Sequence, residues 1–386
     1  MSENLSARGD LRVAPSLLRY ELLHVDAQTG ARRGRLHTPH GTIETPVFMP
    51  VGTAGSVKAV AKDDLLTLKA SIILGNTYHL MLRPGAPLIA KMGGLHQFIG
   101  WDRPMLTDSG GFQVYSLAQI RKITEEGAAF QSHLDGSKHL LTPESAIEIQ
   151  ETLGADIIMA FDECPPSGAE RSYMEPSLAR TTRWLKRCHA AWSQQRSSLF
   201  GIVQGGLHED LRRRHVEEVC AVDLPGYALG GFSVGETPEA MHAGVAFCAP
   251  LLPKDKPRYV MGVGTPRDLV TCVASGVDMF DCVLPTRTAR NGLLFTSAGR
   301  LTIKNARFVD DQRPVDEKCS CYTCRTFTRA YLRHLFVSQE LVALRLNSLH
   351  NLHYFLTLMA QAREAIERDV YGDFLKEVLA RPNAAP

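Results

Sequence analysis

The stretch that decides the fold is Thr142-Pro-Glu-Ser-Ala-Ile-Glu-Ile-Gln-Glu-Thr-Leu153, continued by Gly154-Ala-Asp-Ile-Ile-Met-Ala-Phe161 and Asp162-Glu163-Cys164. Pro143-Glu144 after Thr142 reads as a helix start, because Pro suits the first turn and a Thr hydroxyl caps it. Apolar residues then recur at helical spacing as far as Leu153. Asp156–Phe161 is a short apolar run of strand length, and polar residues follow it at once. Helix, buried strand, polar turn: this is one unit of a repeating design.

The same rhythm runs through most of the chain. Short apolar runs occur at Val47–Val51, Ser71–Leu74, Pro104–Leu106, Asp156–Phe161, Leu199–Val203, Gly226–Leu229, Arg258–Met261 and Val277–Phe280. Between them lie helical pieces such as Pro143–Leu153 and Met174–Trp192. About eight β-α units with buried strands predict an α/β fold, a (β/α)8 TIM barrel and not an open sheet. Ahead of the barrel, alternation and turn residues from Tyr20 to Pro50 predict antiparallel strands over about residues 19–50. Residues 1–15 and 382–386 read as loose ends.

The runs end in chemistry. Asn76-Thr77-Tyr78-His79, Thr107-Asp108-Ser109-Gly110-Gly111, Asp162-Glu163-Cys164, Gln204-Gly205-Gly206, Gly230-Gly231, Gly262-Val263-Gly264 and Asp281-Cys282 all follow apolar runs. In a barrel such residues share one mouth, where barrel enzymes keep their sites. Any one of these turns is explained by the need of turns for Gly and Asp. Asp108, Asp162 and Asp281 converging on one mouth are harder to explain that way. Paired carboxylates with separated pKa values can act as nucleophile and general acid/base at an anomeric carbon.

Composition sets the outer bounds. The 386 residues are 44% hydrophobic and 22% charged, which excludes a disordered chain, and 43 Lys+Arg against 41 Asp+Glu exclude a strongly basic coat. Met1-Ser2-Glu3-Asn4 lacks the apolar stretch of a signal peptide, and no apolar run is long enough for a bilayer. Nine cysteines, an odd number, predict a reducing, cytoplasmic setting and no membrane partner.

Three of those cysteines stand together as Cys319-x-Cys321-x-x-Cys324. With one imidazole they form a donor set for closed, structural, tetrahedral Zn(2+), one per chain. His350 is a candidate fourth ligand; His334 and His353 are nearby alternatives. The expected organisation is a single catalytic barrel domain over residues 1–386 with a zinc-binding subdomain over about 300–352.

Two loops complete the reading. Gly262-Val263-Gly264-Thr265-Pro266-Arg267-Asp268 departs from a dinucleotide fingerprint, since Arg267 stands where the third Gly belongs. Pro285-Thr286-Arg287-Thr288-Ala289-Arg290 puts two arginines three apart just after Asp281, suited to phosphate or base-edge contacts unless both are merely solvated. Lys304, Arg307, Arg325, Arg329 and Arg333 could extend a cationic surface.

Taken in order, Ile73–Leu80, Leu106–Gln113, Ser132–Gly136, Met159–Cys164, Gly262–Gly264, Phe280–Arg287 and the cysteine cluster resemble the tRNA-guanine transglycosylases of bacterial type, from about Arg19 to about Leu379. The resemblance implies a zinc-bearing homodimer. It implies exchange of the wobble guanine of GUN-anticodon tRNAs (for aspartate, asparagine, histidine and tyrosine) with 7-aminomethyl-7-deazaguanine, in queuosine biosynthesis. The exchange is a double displacement through a covalent aspartyl-RNA intermediate. Asp281 matches the nucleophile and Asp108 the general acid/base. Asp108, Ser109, Gly110, Gly111, Phe112, Asp162, Gln204 and Gly231 match the base pocket, with Phe112 and Met261 as stacking walls. Gly262 to Asp268 and Thr286 to Arg290 match RNA-binding loops, and His350 the fourth zinc ligand. Phe112 and Phe232 depart from the Tyr and Leu of some relatives. Val234 and Cys164 resemble the bacterial form, and Glu236 is a candidate neighbour of the 7-substituent.

Rival readings are a barrel glycoside hydrolase, which leaves the cysteines and Arg287/Arg290 unexplained, and a non-catalytic RNA-binding subunit, which would need neither Asp108 nor Asp281. An archaeal-type relative would need extra C-terminal domains, for which the residues after His350 leave no room.

Overall fold

The structure, a computed structural model, describes residues 17–117, 121–166 and 168–382. The two loose ends therefore fall almost wholly outside the described residues. β1 (Arg19–Val25), β2 (Arg32–Thr38) and β3 (Gly41–Thr45) form an antiparallel sheet in that order. Antiparallel pairing ends at Thr45. β4 (Val47–Gly52) already belongs to the barrel, so the antiparallel part is shorter than the expected 19–50. All six residues of β4 are buried, which suits a strand covered on both faces rather than one with a wet side.

β5 (Ile73–Gly75) and β6 (Met105–Thr107) continue the barrel. An insertion then builds a second antiparallel sheet from β7 (Arg121–Ile123), β8 (Ala128–Gln131) and β9 (Lys138–Leu141). The sequence reading assigned no strands there. Barrel strands resume as β10 (Ile157–Met159), β11 (Ser198–Val203), β12 (Gly226–Leu229), β13 (Arg258–Val260) and β14 (Met279–Cys282). The closed order is β10-β11-β12-β13-β14-β4-β5-β6, every neighbouring pair parallel. Each of the eight apolar runs overlaps one barrel strand.

The opening unit folds as its residues dictate. The helix spans Pro143–Leu153, with the Thr142 hydroxyl accepting from the Ser145 N–H and Gly154 closing it in a left-handed conformation. Its buried face, including Ala146, Ile147 and Leu153, packs on the barrel side.

The barrel interior is packed with side chains. Met49, Leu74, Leu106, Ile157, Phe200 and Met279 share one cluster with Leu18, Leu36 and Ile43. The N-terminal sheet thus closes the end of the barrel opposite the mouth. There the Tyr20 hydroxyl donates to Asp278 at 2.9 Å, and Arg32 pairs with the same carboxylate at 3.2 Å.

After β14 a helix, Leu284–Arg290, leads into the hairpin β15 (Leu293–Thr296) and β16 (Gly299–Thr302) and then the cysteine segment. The helix Leu341–Glu367 returns the chain to the barrel. Its first half packs on the short helices Tyr322–Thr326 and Arg329–Val337, and its second half carries Phe355 against Phe48 of β4. Among the described residues no helix is long and apolar enough to cross a membrane.

Candidate active site and candidate metal centre

A cavity of about 490 Å³ opens at the C-terminal ends of the barrel strands. Asp108, Ser109, Phe112, Asp162, Gln204, Gly231, Met261, Gly262, Asp281 and Arg287 all line it, so residues far apart in sequence meet as the barrel reading requires.

Asp281 follows Phe280 on β14. The Tyr259 hydroxyl donates to its Oδ1 at 2.5 Å and the Gly262 N–H to the same oxygen at 2.8 Å. Tyr259 reaches it because β13 lies beside β14 in the barrel. Gly262 has φ +70°, a conformation that costs a glycine little and strains other residues. Burial raises the pKa of Asp281, while these two donors pull it down. Burial also drives Tyr259 well above its usual value, so it stays a donor.

Asp108 ends β6. Asn76 donates to its Oδ2, the Thr77 N–H to Oδ1 at 2.9 Å, and Gln113 to Oδ2 at 2.9 Å. Burial raises its pKa to about 6 against these donors, and the charge on Asp281 adds to the rise. A carboxyl poised there can give and retake a proton near neutrality. Asp162, after β10, is also raised to about 6, chiefly by burial. Gln204 donates to its Oδ2 at 2.7 Å and Ser109 to its Oδ1 at 3.4 Å.

Gly110 and Gly111 form the tight turn into the helix Gly111–Leu117. A Cβ on Gly111 would come within 2.8 Å of the Asp162 carbonyl oxygen. Phe112, 45% exposed on that helix, presents its ring at the mouth, and Met261 follows β13.

The structure treats the two RNA-loop candidates unevenly. Gly262 faces the cavity, but Val263 is buried and Gly264 packs against Cys282. Thr265, Pro266, Arg267 and Asp268 begin the helix Pro266–Ala274. Asp268 is engaged by Thr265 and by His242 at 2.9 Å, and Arg267 donates to the Leu379 carbonyl at 2.6 Å. The second segment is a helix and not a loop. Thr286 and Ala289 are buried, Thr288 bonds back to the Leu284 carbonyl, and Arg287 is exposed beside the cavity. Arg290 Nε donates to the Thr286 carbonyl at 3.2 Å. Of the outlying basic residues, Arg329 is paired with Asp311 at 3.2 Å and does not extend a free cationic surface.

Sequence reasoning gave no role to Asn76, Gln113 or Tyr259. Asn76 opens one of the polar turns, but its partner is set by the pairing of β5 with β6. Glu236 accepts from the N–H groups of Ser233 and Val234, so its carboxylate shapes this loop rather than standing free.

The candidate metal centre lies apart from the mouth. Cys319, Cys321, Cys324 and His350 have donor atoms within 4.8 Å of one another. His350 Nδ1 is 3.7, 3.6 and 3.2 Å from the three sulfurs. His350 Nε2 donates to the Phe295 carbonyl at 2.7 Å, which leaves the Nδ1 lone pair facing the sulfurs. Of the three sulfurs His353 meets only that of Cys319, at 3.5 Å, and its ring is also engaged by Ser320 and Thr357, so the choice among histidines falls on His350. Three thiolates and an oriented imidazole fit a tetrahedral soft-metal site.

A closed parallel barrel with carboxylates gathered at its C-terminal mouth defines a barrel enzyme. The profile of the queuine tRNA-ribosyltransferase family matches residues 26–384. Proteins named queuine tRNA-ribosyltransferase are similar throughout. That of Lysinibacillus sphaericus is 56% identical over 373 residues, covering 95% of this chain and 98% of the relative. That of Bacillus subtilis is 55% identical over 378 residues (96% and 99%), and that of Nitratidesulfovibrio vulgaris 59% over 346 residues (89% and 92%). The chain belongs to this family, that of the tRNA-guanine transglycosylases its motifs resemble, and it is an enzyme, a pentosyltransferase.

Proposed function

We propose that the protein exchanges the wobble guanine of GUN-anticodon tRNAs for 7-aminomethyl-7-deazaguanine by double displacement. The observation that carries this is Asp281, one oxygen held by Tyr259 and Gly262, in the same cavity as Asp108 and Asp162. The target nucleotide leaves the anticodon stack to enter it. Asp162 accepts from the guanine N–H groups, while Gln204 and the Gly231 backbone meet the opposite, oxygen-bearing part of that edge. Phe112 and Met261 supply the stacking faces.

The second oxygen of Asp281 attacks the ribose C1′. The C1′–N9 bond breaks, its electron pair stays on the base, and Asp108 delivers a proton to the departing nitrogen. The incoming base then gives its N9 proton to Asp108. N9 attacks C1′, and the C1′–O bond to Asp281 breaks. One carboxyl serves both halves, and two inversions retain configuration. Arg287 contacts the RNA beside the flipped base, with Arg290 on the next turn.

Cys319, Cys321, Cys324 and His350 would hold one structural zinc, which supplies a folding cross-link and takes no part in the chemistry. The homodimer draws support from exposed apolar side chains of the cysteine lobe. Tyr322 and Tyr331 flank Phe327 at ring distances of 5.7 and 5.3 Å, and Leu341 is 81% exposed. All nine cysteines are free of disulfides, in keeping with a cytoplasmic setting. Incubation with labelled guanine and a GUN-anticodon tRNA tests the proposal. Label enters RNA if it holds; release of sugar from oligosaccharides with no label in RNA returns the protein to the glycoside-hydrolase reading.

A further inference from the structure

The helix Glu209–Cys220 packs on the outside of β11 and is polar over most of its length, yet two of its polar residues are buried. Arg212 is 1% exposed and His215 0%. They are one turn apart, so both face the same strand ends.

Arg212 binds three backbone carbonyls and no acid. Nη1 donates to the Val203 oxygen at 3.0 Å and the Gly230 oxygen at 2.9 Å, and Nε donates to the Gly206 oxygen at 2.9 Å. Its guanidinium stacks on the Phe232 ring, 4.0 Å from the centroid. Among the described residues no carboxylate lies within 4 Å of it. Burying a cation without a counter-ion is costly, and here three carbonyl oxygens and the Phe232 ring offset that cost. His215 holds the same turn from its other side: Nδ1 accepts the Gln204 N–H at 2.8 Å. An acceptor nitrogen means a neutral ring. Burial, then the charge of Arg212, push the His215 pKa down to about 3.

These bonds converge on the two groups that face the base. Gln204 and Gly231 sit just beyond β11 and β12. In a trans peptide the carbonyl and the following N–H point in opposite directions. By drawing the Gly230 oxygen to the helix, Arg212 aims the Gly231 N–H away from it, toward the cavity that Gly231 lines. Gly231 is also pinned sideways. A Cβ there would meet Gln204 Oε1 at 2.3 Å and Arg212 Nη2 at 3.5 Å, and φ is +70°.

We propose that Arg212, seconded by His215, is a positioning residue for base recognition, fixing Gln204 and Gly231 so that they present hydrogen-bond donors to the 6-oxo side of the purine. The inference rests on the reading that this cavity takes a guanine-type base.

The test is steady-state exchange by the full chain, with guanine as incoming base and 2-aminopurine, which lacks the 6-oxo group, as competitor. In Arg212→Met the KM for guanine rises about tenfold or more, as loss of an aligned hydrogen bond implies. The inhibition constant of 2-aminopurine stays within about twofold, since it lacks the 6-oxo group that those donors meet. An Arg212→Met enzyme of lower melting temperature but unchanged guanine-to-2-aminopurine ratio overturns the assignment. Should Arg212→Met fail to fold, the His215 pair decides. His215→Asn, which keeps an acceptor, holds the ratio, and His215→Phe lowers it; equal ratios in the two overturn the proposal. No incorporation of label by the wild type sinks the function itself, whereas incorporation with an unmoved ratio sinks only this inference.

Discussion

Asp162 ties pH dependence to both stability and binding. Its folded-state pKa of about 6 lies above the ordinary carboxylate value, because burial disfavours its charge. The native state therefore holds this proton more tightly than the unfolded chain. Below the ordinary value both states are protonated and the group costs nothing. As pH rises through about 6 the buried charge appears and stability is lost. Asp162→Asn removes that charge, and the Gln204 amide can turn over to present its unpartnered Oε1 to the new NH2 group. The variant should be more stable than wild type by up to about 3 kcal/mol at pH 8 and gain nothing near pH 4. Denaturant unfolding at the two pH values measures this. Affinity runs the opposite way: on the proposed reading base binding needs the carboxylate, so the KM for guanine should climb as pH falls below about 6, a trend visible in a pH profile. Asp108→Asn should slow exchange by roughly 10²–10⁴-fold through loss of proton transfer, read from single-turnover rates.

The carboxylates were legible because each ends an apolar run, a signal that lies within a few residues of sequence. Their partners were not. Tyr259 sits inside a run and looks like core. Arg212 and His215 look like ordinary polar residues of a solvated helix face. Only the closure of the barrel brings β13 beside β14, and only helix docking turns residues 212 and 215 inward.

Among the elements, the cysteine lobe offers the sharpest prediction. His350 lies in the first half of the helix Leu341–Glu367, whose second half packs on β4 through Phe355. Loss of metal should therefore loosen the joint between lobe and barrel. Cys321→Ser should take bound zinc from about one per chain to near zero and lower the melting temperature, as a chelator should in the wild type. Elemental analysis of well-folded protein that finds no zinc contradicts it. The eight barrel strands could be read from sequence because buried parallel strands are continuous apolar runs. The sheet β7–β9 could not. Its strands are three or four residues long and set among turn residues, and β8 and β9 are only partly buried, so neither periodicity stands out.

At the scale of the whole molecule, the barrel, closed at its far end by the N-terminal sheet, holds Asp281 and Asp108 at its mouth and leaves Phe112 and Arg287 exposed beside it, where the proposed tRNA would lie. The net charge of +2 fits this, since binding needs a local cationic edge and not a basic coat. Exchange on tRNA should fall as salt rises, and Arg287→Ala should weaken tRNA binding and reduce the salt slope by about one, measured by titration at several ionic strengths.

The central claim is that Asp281 carries the RNA between the two displacements. The most direct measurement is a denaturing quench of enzyme and GUN-anticodon tRNA, followed by digestion and mass mapping of the linked peptide. The account predicts a ribose-linked adduct on Asp281, absent from Asp281→Asn even though that variant still binds tRNA. An adduct on Asp108 or Asp162, or brisk exchange by Asp281→Asn with no adduct at all, would contradict it.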